Sequence, residues 1–306
     1  MNSALRVDAH AHVLSPRLRS LGLMPSGVRV PATGGGAEHF LGLLRHHGVG
    51  GAIVVGVLGD DAYLWDAFDG TDDVRIWRVL AVEERPSAEA VTRTMDALSR
   101  PGVVGVRLRR LGPPDELRPD ALPVFPILRA LAVSGQALWI LMAAEQHRLL
   151  LRVLDRLPAL VGVLNHMGAV PAVPGGSVGG RPQLALPAHR RRQELTELAA
   201  HPEMRVVLSG QYSLSHNVYP YDDLRPHGEF LLRKFGPNRL LWGSDYPLVG
   251  TVAEYGNQLA WVRKTLVGLS DREVAAILGG NAWKLGSQCS PGMVGNLLGK
   301  ERDPWT

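Results

Sequence analysis

Short apolar runs alternate with longer amphipathic runs along nearly the whole chain, and this alternation constrains the fold more than any other feature. The short runs are rich in Val, Ile and Leu, as strands buried on both faces are. The longer runs repeat apolar residues at three- and four-residue spacing, which is typical of helices packed on a sheet. The pattern therefore predicts parallel βα units. The candidate strands are Leu5–Ala11, Gly51–Val57, Arg75–Val82, Val103–Leu108, Ala137–Met142, Val161–Asn165, Met204–Leu208 and Arg239–Ser244.

The number of units does not by itself separate a closed barrel from an open doubly wound sheet. The polar residues favour the barrel, because the first, sixth and eighth strands end in His or Asp, and in a barrel these ends meet at one mouth. We predict an α/β fold, a (β/α)8 TIM barrel over residues 1–286 as one domain with extended βα loops, and a C-terminal tail over residues 287–306. The candidate helices are Ala37–His47, Ser87–Ser99, Leu122–Ser134, Glu145–Leu157, Gln193–Ala200, Asp222–Phe235 and Ala253–Val267.

Two Gly/Pro-rich segments, Met24–Gly36 and Pro171–Pro187, follow the histidine-bearing strands. Long loops at this end of a barrel usually carry substrate specificity. We predict that both are active-site loops.

Composition excludes several functional classes. The net charge of +4 comes from scattered arginines and not from a basic tail, which argues against a nucleic-acid partner. Cys289 is the only cysteine, so neither an intrachain disulfide nor a thiolate metal cluster can form. We find no secretory signal and no apolar run of the ~20 residues that a membrane helix needs. We expect a cytoplasmic protein that acts on a small molecule without a membrane partner, and a homo-oligomer stays open.

The first strand ends in Asp8-Ala9-His10-Ala11-His12. Alternate side chains of a strand share a face, so His10 and His12 should project together toward the barrel mouth. Two imidazoles that converge there suit a metal ion or a developing oxyanion. Two unrelated histidines are the alternative interpretation, and a lone His-x-His motif does not decide between them.

The sixth strand ends at His166, and the eighth ends at Asp245 before a proline. Asp245 could act as a general base toward water or as a metal ligand. The alternative for His166 is a histidine that only packs in the core, and the alternative for Asp245 is the N-cap of a helix. Three such strand ends in one barrel favour a joint site.

The chain resembles the amidohydrolase superfamily, in the amidohydrolase-2 branch of lactonases and metal-dependent decarboxylases. Within that branch it is most similar to the 2-pyrone-4,6-dicarboxylate lactonase-like hydrolases. The resemblance runs from Asp8 to about Leu285. The motifs that carry it are His10-x-His12, Gly105-Val106-Arg107, Asn165-His166-Met167-Gly168, Leu208-Ser209-Gly210, Trp242-Gly243-Ser244-Asp245-Tyr246-Pro247 and Asn281-Ala282.

Two departures from the family bear on function. The zinc-dependent decarboxylases have a histidine after the fifth strand, where this chain reads Ile140–Glu145 without one. The dicarboxylate lactonase has a carboxylate-binding arginine where this chain has Ala169. The resemblance implies one divalent metal, zinc first, held by His10, His12 and Asp245, or a site that works without metal.

We predict hydrolysis of a lactone or related cyclic ester. Asp245 would be the general base, and His10, His12 and His166, with or without a divalent metal, would polarise the carbonyl. A zinc-dependent non-oxidative decarboxylase and a catalytically inactive barrel that binds a small molecule are the alternatives. The predicted substrate-binding residues are Arg107, which could equally form a structural ion pair, and Tyr212, His216 and Tyr246, which could equally be loop packing.

Overall fold

The computed structural model describes residues 5–21, 34–58, 61–83, 85–172, 177–178, 181–182, 184–186 and 189–288. Eight parallel strands form one sheet in chain order. All eight predicted strands are confirmed, each within a few residues of the predicted bounds. The strands are β1 (Val7–Ala11), β2 (Gly51–Val55), β3 (Arg75–Ala81), β4 (Val103–Leu108), β5 (Ala137–Ile140), β6 (Val161–Leu164), β7 (Met204–Leu208) and β8 (Leu240–Trp242).

Helices follow the strands, as the alternation predicted. The seven predicted helices are present, and five short ones escaped prediction because fewer than two full turns give too little periodicity to detect. The helices are α1 (Pro16–Ser20), α2 (Ala37–His46), α3 (Asp61–Asp66), α4 (Ala88–Leu98), α5 (Phe125–Ser134), α6 (His147–Arg156), α7 (His189–Ala199), α8 (Gln211–Leu214), α9 (Arg225–Phe235), α10 (Val252–Thr265), α11 (Asp271–Ala275) and α12 (Asn281–Ser287).

Three predicted helix starts were too early and one was too late. The helix predicted from Glu145 begins at His147 after a 3-10 turn, and the helix predicted from Gln193 already begins at His189. The helix predicted from Leu122 begins at Phe125, with a proline in its first turn. The helix predicted from Asp222 begins at Arg225, after a 3-10 turn.

The strands divide their side chains between two apolar layers. One layer faces the helices and contains most of the buried helix residues. The other lies inside the barrel and includes Ile53, Trp77, Val79 and Trp139. Ala282 and Leu285 of α12 belong to this inner layer. Since α12 also packs on β1 and β2, it covers the N-terminal end of the barrel and leaves the C-terminal end as the mouth. The result is a (β/α)8 barrel.

The barrel closes between β8 and β1 beyond the end of β8. The Asp245 amide donates to the His10 carbonyl at 2.9 Å, and the His12 amide donates to the Tyr246 carbonyl at 2.7 Å. A side chain added at Gly243 would lie 2.8 Å from the His10 Cβ, so only glycine permits this approach. The closure therefore places the predicted site residues of β1 and β8 side by side.

Most of the two predicted active-site loops lies outside the described residues. Residues 34–36 of the first loop lead into α2. In the second, Val170–Pro171 pairs antiparallel with Leu184–Ala185, and Ser177–Val178 pairs with Arg181–Pro182. The role of the two loops in the active site stays a prediction. The predicted tail starts at the last residue of α12, and residues 289–306 lie outside the described part. No described helix has the length and apolar character needed to cross a membrane.

Candidate active site

A β-bulge in β1 directs its polar side chains. The pairing of β1 with β2 shifts register between Asp8 and Ala11. His10 lies within the shifted segment and His12 beyond it, and their rings meet edge to face with centroids 5.0 Å apart. Asp8 would share their face in a regular strand, but its carboxylate accepts from the Tyr255 hydroxyl of α10 at 2.8 Å. The bulge thus separates a structural carboxylate from two histidines at the mouth.

Asp245 stands in the turn that follows β8, in the left-handed conformation with φ of 63°. A non-glycine residue in this region costs about 1–3 kcal/mol, and such residues concentrate at functional sites. The surrounding structure holds it there, because its amide bonds to His10 and its side chain is only 2% exposed. Asp245 is therefore a fixed carboxylate at the seam of the barrel.

His166 follows β6 in a turn of three successive left-handed residues. The φ angles are 48° at His166, 58° at Met167 and 72° at Gly168. The ring Nδ1 lies 3.1 Å from the Ser209 hydroxyl at the end of β7. A side chain at Gly210 would come within 3.0 Å of this Nδ1, so the glycine lets the imidazole lie against the end of β7.

These four side chains form one cluster at the mouth. The Nε2 of His10 lies 3.6 Å from the Asp245 Oδ1, and the Nδ1 of His166 lies 3.7 Å from the Oδ2. The rings of His10 and His166 are 5.0 Å apart between centroids. Three imidazoles thus surround one carboxylate, which is the arrangement that the strand ends predicted.

Burial sets the charges of this cluster. It raises the pKa of Asp245 to about 7, against the opposing effects of the Tyr212 hydroxyl and the Arg107 charge. Burial also lowers the pKa of His166 to about 3, and it holds the pKa of His10 and His12 well below the ordinary range. At neutral pH the imidazoles are uncharged, while Asp245 is divided between its protonated and ionised forms.

Tyr212 and Arg107, predicted to bind substrate, both contact the cluster. The Tyr212 hydroxyl, carried by α8, donates to the Asp245 Oδ2 at 2.6 Å. The Nη2 of Arg107 donates to the Gly56 carbonyl at 2.8 Å, and its Nη1 lies 3.5 Å from the His12 Nε2. The Nη2 of Arg107 therefore holds the guanidinium beside the imidazoles. Tyr212 is a hydrogen-bond partner of the Asp245 carboxylate.

His216 and Tyr246 are engaged elsewhere. The His216 amide donates to Asp223 at 2.8 Å on an exposed loop. The Tyr246 hydroxyl donates to the Gly36 carbonyl at 2.9 Å, and its ring stacks on Phe40 of α2 with centroids 4.8 Å apart. Their predicted part in lining the pocket stays a prediction, since these contacts are those of loop and helix packing.

Comparison with known proteins identifies the family. The family model described as Amidohydrolase matches residues 7–285, which is nearly the whole chain and includes every strand of the barrel. The chain belongs to the amidohydrolase family. This amidohydrolase is therefore an enzyme of the hydrolase class, as the resemblance implied.

Three proteins are similar to this amidohydrolase over at least 90% of its length. L-fucono-1,5-lactonase from Burkholderia ambifaria is 28% identical over 291 residues, which cover 90% of this chain and 93% of the relative. A solved structure from Pseudomonas putida, provisionally named 2-pyrone-4,6-dicarboxylic acid hydrolase, is 25% identical with a TM-score of 0.66, covering 94% of this chain and 98% of its own. A zinc-bound amidohydrolase from Burkholderia multivorans is 21% identical with a TM-score of 0.65, covering 93% and 99%. The last of these bears on the fold alone.

A divalent metal fits the donor set of this amidohydrolase. One ligand atom from each of His10, His12 and Asp245 lies within 4.8 Å of the others. Both ring nitrogens of His10 are buried without a hydrogen-bond partner. The His12 Nδ1 contacts the Val55 carbonyl at 2.7 Å, so it carries the hydrogen and leaves the Nε2 lone pair for a ligand. The Arg107 guanidinium beside that lone pair is the feature that disfavours a cation.

Asp8 is the residue of this amidohydrolase that sequence reasoning missed. Its Oδ1 accepts from the Ser244 amide at 2.9 Å and the His10 amide at 3.2 Å, across the seam between β8 and β1. Burial raises its pKa to about 6. One signal could have pointed to Asp8, which is a carboxylate within a fully buried strand. A buried carboxylate needs hydrogen-bond partners, so its presence in β1 indicates a structural role.

Proposed function

We propose that this amidohydrolase opens a lactone or related cyclic ester by attack of water, with Asp245 as general base. The observation that carries the proposal is a buried carboxylate among three neutral imidazoles, with a pKa of about 7. A base is most effective when its pKa lies near the working pH, and a surface aspartate is too acidic for this. Burial of Asp245 supplies the needed basicity.

In the proposed reaction Asp245 takes one proton from water as the water oxygen bonds to the ester carbonyl carbon. The carbonyl oxygen gains negative charge, and His10 and His166 are placed to polarise it, whereas His12, whose Nε2 carries a lone pair, would do so through a bound cation. The bond to the ring oxygen then breaks, and the proton on Asp245 passes to that oxygen. The product is the open hydroxy acid, which ionises to its carboxylate.

Two further observations support this reaction. The relative that matches over 93% of its own length is named as a lactonase, and the Pseudomonas putida structure is named as a hydrolase of a pyrone, which is itself a cyclic ester. Asp245 is the carboxylate that the three imidazoles of the cluster surround, which makes it the candidate base. Arg107 would orient a carbonyl or an anionic group of the substrate. Ala169 in place of a carboxylate-binding arginine supports a substrate other than the same dicarboxylate.

A bound divalent ion, zinc first, would be held by His10, His12 and Asp245 and would act as a Lewis acid on the carbonyl. We further propose a small-molecule substrate, no nucleic-acid or membrane partner, and a cytoplasmic location.

The test is hydrolysis of a panel of lactones. The released protons are measured with a pH indicator in weakly buffered solution. The panel includes L-fucono-1,5-lactone, other sugar-acid lactones and 2-pyrone-4,6-dicarboxylate. We expect turnover of at least one member and a loss of at least about 10³-fold in kcat for Asp245→Asn, which removes the base. Turnover retained by that variant would overturn the role of Asp245.

Two outcomes of the same assay separate the alternatives. Full lactonase activity after complete chelation would exclude the zinc-dependent decarboxylase. Binding of a lactone without turnover by the wild-type protein would favour the inactive barrel.

A further inference from the structure

The turn that carries His166 is held by two side chains from the helix layer. His227 of α9 contacts the Met167 carbonyl through its Nε2 at 2.8 Å. Arg191 of α7 donates from its Nε to the Gly168 carbonyl at 3.0 Å. Both side chains are buried, at 7% and 6% exposure. The turn is therefore anchored at two successive carbonyls by side chains of α7 and α9.

The chemistry of these contacts fixes their direction. A carbonyl only accepts, so the Nε2 of His227 carries the hydrogen and donates it. Burial lowers the pKa of His227, which keeps the imidazole neutral. Arg191 is in turn paired with the buried Glu194 at 2.9 Å, which satisfies its charge. Within the described part of the chain, the hydrogen bonds of both side chains go to the turn and to Glu194 rather than to the carboxylate or imidazoles of the mouth.

The turn requires such anchors because its backbone is strained. His166 and Met167 are side-chain-bearing residues in the left-handed region, where the surrounding structure must over-determine the conformation. If the turn relaxed, the imidazole would leave its place against Gly210 and the Ser209 hydroxyl. Its position relative to Asp245 depends on the same backbone angles.

We propose that His227 and Arg191 are positioning residues that act through His166. By donating to the carbonyls of Met167 and Gly168, they hold the left-handed turn and fix the His166 imidazole beside Asp245. This inference rests on the proposed function for its effect on catalysis. Its geometric part is independent of the reaction and of any metal.

The primary variant is His227→Phe, which keeps a ring of similar shape against Phe230 and removes the donor. His227→Gln can restore a donor to the Met167 carbonyl. His147→Phe is the matched control, because His147 is also 7% exposed and also bonds through its Nε2, but to Glu197 between α6 and α7. If His227→Phe fails to fold, the pair Arg191→Met with Glu194→Gln removes the other anchor without leaving a buried charge.

The first measurement is the ¹⁵N imidazole signal of His166 in histidine-labelled protein, assigned with His166→Asn. We expect this signal to shift in His227→Phe, to return in His227→Gln and to stay in place in His147→Phe. An unchanged His166 signal in a folded His227→Phe protein would overturn the proposal. Because this measurement needs no substrate, it decides the positioning role even if no lactone is hydrolysed, which would count against the proposed function alone.

The second measurement is kinetic. We expect His227→Phe to lower kcat by about 10- to 100-fold with little change in KM, since a small misplacement of a catalytic group has effects of this order. In a His166→Asn background the same substitution should have no further effect, because the group on which it acts is gone. Multiplicative losses in the double variant would show that His227 acts independently of His166 and would refute the inference.

Discussion

The Tyr212 hydroxyl donates a 2.6 Å hydrogen bond to the Asp245 Oδ2, linking a four-residue helix after β7 to the carboxylate after β8. This bond stabilises the charged form of Asp245 and so opposes the effect of burial on its pKa. The other oxygen of the carboxylate, Oδ1, faces the His10 Nε2 at 3.6 Å. Tyr212 therefore sets both the basicity and the orientation of the proposed base.

Tyr212→Phe should raise the pKa of Asp245 by about one unit, because a hydrogen bond to a charged group contributes roughly 1.5–3 kcal/mol. The sign follows from the base being active only when ionised, so a higher pKa moves the acid limb of the kcat profile to higher pH. We expect about a tenfold loss of kcat at pH below 6 and near-wild-type kcat at pH 9. The measurement is kcat against pH for both proteins. Coincident acid limbs would show that the Tyr212 hydrogen bond does not change the pKa of Asp245.

In protein freed of metal by chelation, activity should fall as the pH drops through about 7, the pKa of Asp245. A bound divalent cation favours the ionised carboxylate and should move this limb to lower pH. The check is a pair of kcat profiles, with and without added zinc, and metal content measured on the same samples. Identical profiles in zinc-loaded and metal-free protein would show that the ion does not contact Asp245.

Asp245→Asn should raise the thermal stability of the metal-free protein at pH 8 while removing activity. The folded pKa of about 7 lies above the ordinary value of 3.8, so the fold binds the proton more tightly than the unfolded chain does. Stability from this group is therefore present below about pH 4 and is lost as the pH rises through 7. We expect Tm to increase by a few °C, as roughly 1 kcal/mol shifts Tm by about 2–4 °C in a domain of this size.

Calorimetry at two pH values checks this prediction. The gain of the Asn variant should disappear at pH 3.5, where both side chains are neutral. A variant with the same advantage at both pH values would contradict the electrostatic cause.

Asp8→Ala should destabilise the closure of the barrel, because it leaves the Ser244 amide and the Tyr255 hydroxyl without their acceptor. Each unsatisfied buried group costs about 1–3 kcal/mol, so we expect the two groups together to lower the free energy of unfolding by about 2–6 kcal/mol. Asp8→Asn keeps one carbonyl oxygen for Ser244 and should lose much less. Urea unfolding of the wild type and the two variants measures these free energies. Equal losses of stability in Asp8→Ala and Asp8→Asn would show that the hydrogen bonds contribute little.

The strand ends show how far the sequence predicts this protein. Apolar runs that terminate in His10, His166 and Asp245 are local signals, and parallel strands bring their carboxyl ends to one mouth whatever the loops do. Fold and cluster could therefore be predicted before any contact was known. The partners of Tyr212 and Tyr246 could not, because both tyrosines follow strands near the mouth and their environments differ only in which helix lies opposite.

The sequence by itself determined the eight βα units, the mouth at which they converge and the residue types available there, since period and strand-end position follow from local chain geometry. Only the tertiary structure decided which atoms meet. The bulge that separates the Asp8 carboxylate from the His10 imidazole, the left-handed turn at His166 and the burial that raises the pKa of Asp245 to about 7 all depend on neighbours distant in the chain. A pKa and a strained angle are properties of an enclosing structure, and no short segment carries them alone.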